Sequence, residues 1–181
     1  FALRKPSDIL DKLRVLVEET FHQRKDGMDI ALCGINTKTR ELQFAGANNP
    51  LWVVRKEGQG NLLVDGSELE PNIEENGCVL FEVKADKQPV GSFDYQTPFT
   101  NHNIQLIEGD SVYVFSDGYP DQFGGPKGKK FKSKTLKKVL MEMHEVSMDE
   151  QRKELDYKIE HWMEEGEIEQ IDDICIFGVK A

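Results

Sequence analysis

Two acidic clusters, each joined to a short apolar run, carry the chemistry this sequence can support. The first is Ser116-Asp117-Gly118, which ends the wholly apolar run 112–115. An Asp directly after a buried strand stands at a sheet edge with its carboxylate aimed outward. Gly118 lets the backbone turn sharply and a ligand approach closely. Asp121 follows, so a turn or short helix brings a second carboxylate near the first. The second cluster reverses the order: Asp172-Asp173 precedes the apolar run 174–179. If the two runs are antiparallel neighbours in one sheet, Asp117 and Asp172-Asp173 lie at the same edge. Clustered carboxylates repel and are costly to desolvate. A cation between them relieves both, and oxygen ligands suit the hard ions Mg²⁺ and Mn²⁺. Taken alone, Ser-Asp-Gly is more often a plain turn with solvated acids; the second cluster makes the metal reading competitive.

These acids must be held by elements that the hydrophobic pattern predicts. Residues 112–115 and 174–179 read as buried strands. Pro6-Ser7-Asp8 starts a helix, with Ile9, Leu10, Leu13, Leu16, Val17 and Phe21 on one stripe and Lys25-Asp26-Gly27 at its end. Strands are expected at 28–35, 41–45, 51–55, 62–64 and 79–83, and around Ile104 and Leu106. Gly46-Ala47-Asn48-Asn49-Pro50 reads as a tight loop, residues 65–78 as an exposed acidic loop, and Pro89-Val90-Gly91 as a bend. After residue 121 the chain turns helical. Leu136, Val139, Leu140 and Met143 form one apolar stripe, and Leu155, Ile159, Trp162 and Met163 another. Helix, many strands, two helices and a strand make an α+β fold, with antiparallel sheet and segregated helices.

The whole chain narrows the function classes. Its 181 residues suffice for one domain, 1–181, with a substantial core. Twenty-three basic against 33 acidic residues leave a net charge of −10. That disfavours nucleic acid and anionic membrane surfaces as partners. No apolar run approaches the ~18 residues of a membrane span, and no signal peptide is evident. A cytoplasmic location is expected. Because the chain opens at Phe1 rather than Met, it reads as an excised fragment. Cys33, Cys78 and Cys175 are far apart and odd in number, and are expected to be reduced core thiols.

Other candidate chemistries weigh less. Gly124-Gly125-Pro126-Lys127-Gly128-Lys129-Lys130 has the wrong spacing for a nucleotide-binding phosphate loop, and Lys130 stands where Ser or Thr is needed. It reads as a solvated basic loop, or as a flap that attracts a phosphorylated partner. His22, His102, His144 and His161 lack metal-ligand spacing. Ser116 lacks a Gly-x-Ser-x-Gly elbow, and no Cys/His pairing stands out, so covalent catalysis is unsupported. Asp26 and Asp29 belong to a capping turn or, less favoured, to the acidic edge. Glu164, Glu165, Glu167 and Glu169 read as a solvated helix end.

The segments Asp26-Gly27-Met28-Asp29-Ile30-Ala31, Gly46-Ala47-Asn48-Asn49-Pro50-Leu51, Pro89-Val90-Gly91, Gly109-Asp110, residues 116–125 and Ile171-Asp172-Asp173 occur in this order. Together they resemble bacterial metal-dependent Ser/Thr phosphatases of the SpoIIE type, within the PPM or protein phosphatase 2C-like superfamily, over nearly the whole chain. The resemblance implies a four-layer αββα sandwich with metals at one end of two sheets. It implies Mg²⁺ or Mn²⁺ held by Asp117 and Asp172, with Asp121 a looser ligand, Asp173 supporting, and Gly118 counted in the same set. It further implies hydrolysis by a metal-activated water with no phosphoenzyme, a phosphorylated protein substrate, and an upstream sensor or regulatory domain, which can be membrane-anchored. The family's upstream Gly-Asp strand and Asp-x-x-Gly-His-Gly turn are not in this chain. An N-terminally truncated sandwich is therefore expected, with weak metal binding, little activity alone, and open strand edges that favour a homodimer. The competing expectation is a non-catalytic module that keeps the fold and binds a partner protein.

Overall fold

The computed structural model describes residues 5–20 and 27–181. In chain order the elements are helix α1 (Pro6–Thr20) and strands β1 (Gly27–Met28), β2 (Ile30–Asn36), β3 (Glu41–Ala47), β4 (Leu51–Lys56), β5 (Leu62–Val64), β6 (Ser67–Leu69), β7 (Ile73–Glu75) and β8 (Cys78–Val83). They continue with β9 (Val90–Gly91), β10 (His102–Gln105), β11 (Ser111–Phe115), the short helix α2 (Gly118–Asp121), β12 (Phe123–Gly124), β13 (Lys129–Lys130), α3 (Ser133–Glu142), α4 (Met148–Gly166) and β14 (Ile176–Lys180). No helix among the described residues is long and apolar enough to cross a membrane.

Two five-stranded antiparallel sheets result, in the orders β2-β3-β10-β5-β6 and β14-β11-β4-β8-β7. The period-2 alternation of each strand fixes which layer every side chain enters. On β3, Leu42 and Phe44 face the second sheet, while Ala45 and Ala47 join Leu10 and Val17 of α1. On β4, Leu51 and Val53 face the first sheet, while Trp52 and Val54 meet Leu136, Leu140, Leu155 and Ile159 of α3 and α4. Val112 and Tyr113 of β11 divide in the same way. Three apolar clusters therefore separate four layers, α1, sheet, sheet and α3/α4, and the expected αββα sandwich is what forms. Each fully buried large side chain of this kind contributes roughly 1.5–3 kcal/mol.

Several local expectations need correction. The segment 65–78 is two short hairpin arms rather than a loop: β5 turns to β6 at Asp65-Gly66, and β7 to β8 at Asn76-Gly77. All four turn residues have positive φ (53°, 80°, 55° and 72°), the geometry that Asp-Gly and Asn-Gly turns favour. β3 runs two residues further than expected because β2 pairs as far as Ala47, and Ala47 also bridges to Asp86. β9 pairs with β1 where a bend was expected. The last strand begins at Ile176 rather than Ile174. Leu16 is exposed at 46%, off the buried face of α1. Cys78 is buried, but Cys33 and Cys175 are exposed, because β2 and the approach to β14 lie at sheet edges. Phe21, His22, Lys25 and Asp26 lie outside the described residues.

Candidate metal centre

The antiparallel arrangement expected of the two acid-bearing runs is present. β11 and β14 pair from Ser111↔Lys180 to Phe115↔Ile176, so the chain leaves β11 where it enters β14. Asp117 and Asp172-Asp173 therefore occupy one end of the second sheet. The Asn48-Asn49-Pro50 crossing between the sheets lies at this end too, since Trp52 near the start of β4 pairs with Tyr113. Asn48 takes φ +59° there and donates from its side-chain amide to Asp29 at 2.7 Å. Asp29 thus sits at the crossing, engaged by that amide.

Three features weld the two strand ends together. The Ser116 hydroxyl donates to the Asp173 carbonyl at 2.8 Å and accepts the Cys175 N–H at 2.9 Å. The Ser116 N–H also donates to the Cys175 carbonyl at 2.9 Å. Gly118 packs so closely that a Cβ there would run into the Asp173 carbonyl oxygen. Finally, buried Gln122 donates to the Glu169 carbonyl at 3.0 Å and accepts the Ile171 N–H at 3.2 Å. That side chain ties the segment leading into Asp172 to the turn leaving Asp117. Ser116 and Gln122 were not singled out as site-building residues from sequence. Nothing in the local pattern marks Gln122, whose partners stand 47 and 49 positions later.

The carboxylates differ in how they are occupied. Asp117 caps α2 with no side-chain hydrogen bond, and its carboxylate has no ion-pair partner among the described residues. Asp172 accepts the Asp173 N–H on one oxygen at 2.7 Å. Asp173 contributes its carbonyl to Ser116. Asp121 is joined to Asp117 through the backbone, its N–H donating to the Asp117 carbonyl at 2.9 Å, while its carboxylate pairs with Lys130 at 2.8 Å. All four acids are exposed. Asp110, in the Gly-Asp pair at the other end of β11, is fully buried and binds Arg55 through two 2.8 Å hydrogen bonds.

Does this donor set fit a metal? It is all oxygen, it is solvent-facing, and Asp117 is uncommitted. Mg²⁺ is commonly held by one or two carboxylates plus waters and substrate phosphates. Among the described residues, no three His, Cys, Asp or Glu side chains gather to hold an ion. Asp117 and Asp172 thus fit one side of a hard-cation site, not an all-protein cage. A separate groove of about 520 Å³ runs between α4 and β14, lined by Tyr113, Leu155, Ile159 and Phe177 among others. It is the seam between helix and edge strand and contains none of these four acids.

The basic segment after α2 is a short hairpin, β12 with β13, rather than an irregular loop, and its lysines are solvent-exposed. Its glycines lie flat on α4. A Cβ on Gly124 or Gly125 would collide with Trp162, and the Gly125 N–H donates to the Trp162 carbonyl at 2.6 Å. Phe131 fills the gap beneath, edge-on to Tyr119 and Trp162 at 5.1 and 5.4 Å.

The same architecture recurs in solved proteins. The SiaA-PP2C domain of Pseudomonas aeruginosa superposes with a TM-score of 0.77 at 24% identity, over 98% of this chain. The chain spans 61% of that protein's length. The phosphatase domain of the cell-fate determinant SpoIIE from Bacillus subtilis superposes with a TM-score of 0.53 at 14% identity, over 99% of this chain and 75% of its own. A manganese-presoaked form of that domain gives 0.52 at 16% identity, over 99% and 73%. No curated protein matches. The family described as Stage II sporulation protein E matches residues 2–181, through both acidic strand ends and the hairpin between them, and the chain belongs to this SpoIIE family.

Proposed function

We propose that this phosphatase-type domain is the metal-dependent phosphoprotein phosphatase domain of a bacterial signalling protein, acting on phosphoserine or phosphothreonine. The observation that carries the reading is the β11–β14 junction: Asp117 and Asp172 leave adjacent strand ends that Ser116, Gly118 and Gln122 lock together. Family membership and the PP2C-like sandwich support it. Asp117 and Asp172 would hold Mg²⁺ or Mn²⁺, with Asp173 supporting and the turn at Gly118 admitting the ion closely. Asp121 is a looser ligand, released from Lys130. A divalent ion held there supplies an activated water and neutralises phosphoryl charge. Ser116 is no nucleophile, because its hydroxyl is engaged as both donor and acceptor in the strand junction. That engagement is in keeping with the proposed direct hydrolysis by a metal-activated water, without a phosphoenzyme.

The test is Mn²⁺-dependent phosphate release from a phosphoserine peptide, using the longest natural chain that contains this domain. Asp117→Asn and Asp172→Asn should each abolish release while the variants stay folded. Undiminished release in both would remove these acids from the mechanism. A second reading, a partner-binding module without catalysis, draws on one observation: no three ligating side chains converge among the described residues. Absence of release in the wild-type protein, with Mn²⁺ binding also absent, would favour it.

A further inference from the structure

Charge is unevenly distributed along this chain. Residues 127–138 hold seven of its 23 basic residues, all lysines, and no acid. The remainder has 16 basic residues against 33 acidic ones. Three of the seven lysines are neutralised locally: Lys130 by Asp121, Lys137 by Glu82 and Lys138 by Glu75. Lys127, Lys129, Lys132 and Lys134 are exposed and have no ion-pair partner among the described residues.

The backbone segment that carries these lysines is anchored to the turn leaving the acidic end. The Lys132 N–H donates to the Pro120 carbonyl at 2.7 Å, and the Phe131 N–H to the Gln122 carbonyl at 2.9 Å. The lysine strand therefore runs along the turn that begins at Asp117. Gly124 and Gly125 on Trp162, and buried Phe131, anchor the hairpin from below. Lys132 is kept at φ +76°, a conformation lysine rarely adopts, so the backbone here is set by its surroundings. A solvated loop needs none of this. A fixed cationic strip on an otherwise anionic molecule attracts an anionic partner and orients it. Nucleic acid is disfavoured because the rest of the surface repels a polyanion.

From this placement we infer that Lys127, Lys129, Lys132 and Lys134 form the docking strip for a phosphoprotein whose phosphorylated residue is flanked by Asp and Glu. The strip engages the acidic flank and leaves the phosphoryl group over the Asp117 end. The inference rests on the phosphatase reading above and names the partner chemistry of that site.

The experiment compares two fluorescent phosphoserine peptides, identical except for acidic or neutral flanks. Binding is read by anisotropy, and phosphate release is measured in parallel. The protein carries Lys127→Gln, Lys129→Gln and Lys134→Gln together. A control carries Lys12→Gln, Lys38→Gln and Lys153→Gln, which make the same charge change elsewhere on the exposed surface. At low salt the hairpin variant should bind the acidic-flanked peptide roughly tenfold more weakly than wild type. The neutral-flanked peptide and the control should be unaffected, and high salt should close the gap. Equal loss for both peptides, or equal loss in hairpin variant and control, overturns the inference. So does tighter binding of a single-stranded oligonucleotide than of the acidic peptide. Lysine-dependent binding without phosphate release would instead sink the phosphatase reading and leave the docking strip standing. Release from both peptides with equal affinity would do the reverse.

Discussion

Asp110 and Asp117 belong to the same strand and its exit, yet their substitution should have opposite consequences. Asp110 is fully buried, and the side chain of its partner Arg55 is 3% exposed. Two 2.8 Å hydrogen bonds join them. Arg55 also donates to the Asn61 carbonyl at 2.8 Å, and Asp110 accepts the Ile107 N–H at 2.9 Å. Asp110→Asn keeps the shape but removes the charge, leaving a guanidinium in the protein interior without its counter-ion. Breaking a buried pair from one side costs about 3–5 kcal/mol, a large fraction of the stability of a typical domain. Asp117→Asn changes an exposed carboxylate with no side-chain hydrogen bond, so the expected change is within about 0.5 kcal/mol. Urea unfolding followed by the fluorescence of Trp52, buried at 1%, measures both. The double replacement Arg55→Met with Asp110→Leu should recover most of the loss, since no unpaired charge remains. An Asp110→Asn protein within about 1 kcal/mol of wild type would refute this reasoning and show that water reaches Arg55. A large loss in Asp117→Asn would equally refute the assignment of that residue to ligand binding rather than to the fold.

Two further outcomes follow from the geometry. Gly118→Ala drives a methyl group into the Asp173 carbonyl; it should cost about 1–3 kcal/mol and weaken Mn²⁺ binding by prying β11 from β14, whereas an unchanged affinity would show that the junction does not set the site. His144 is held below its ordinary value of 6.5, first by burial and then by Lys180, with Lys56 adding to this and Glu145 and Asp110 opposing. Its proton is therefore bound more readily by the unfolded chain. Its contribution to stability is complete above 6.5 and is lost as the pH falls through the folded-state value, at no more than about 1.4 kcal/mol per pH unit. Urea midpoints measured across this range should fall on acidification, and less steeply in His144→Gln.

The acidic end was legible because its signals are local. An apolar run followed by Asp117, and an acidic pair followed by an apolar run, allow one antiparallel arrangement that brings the acids together, and β11 and β14 adopt it. Helix stripes and strand alternation of ordinary length indicated antiparallel sheet with segregated helices, whereas the stacking into four layers was implied by the family resemblance. What was missed depends on distant partners or on very short strands. Arg55 lies near the end of an apolar strand with nothing nearby in sequence to reveal that Asp110, 55 positions on, will bury its charge. β6 and β7 are three residues each, too short for alternation to register, although the Asp65-Gly66 and Asn76-Gly77 turns mark them. Gly124 and Gly125 read as loop residues until Trp162 of α4 is seen against them. Cys33 and Cys175 looked like core positions because edge strands share the composition of central ones.

Whether Asp117 and Asp172 form one side of a divalent-cation site is decided by Mn²⁺ calorimetry. The titration should be run on this chain and on its Asp117→Asn and Asp172→Asn variants, with folding checked by circular dichroism. Mn²⁺ should bind the wild-type chain and bind both folded variants more weakly. Wild-type binding left unchanged by either substitution, or no binding at all, would contradict that assignment.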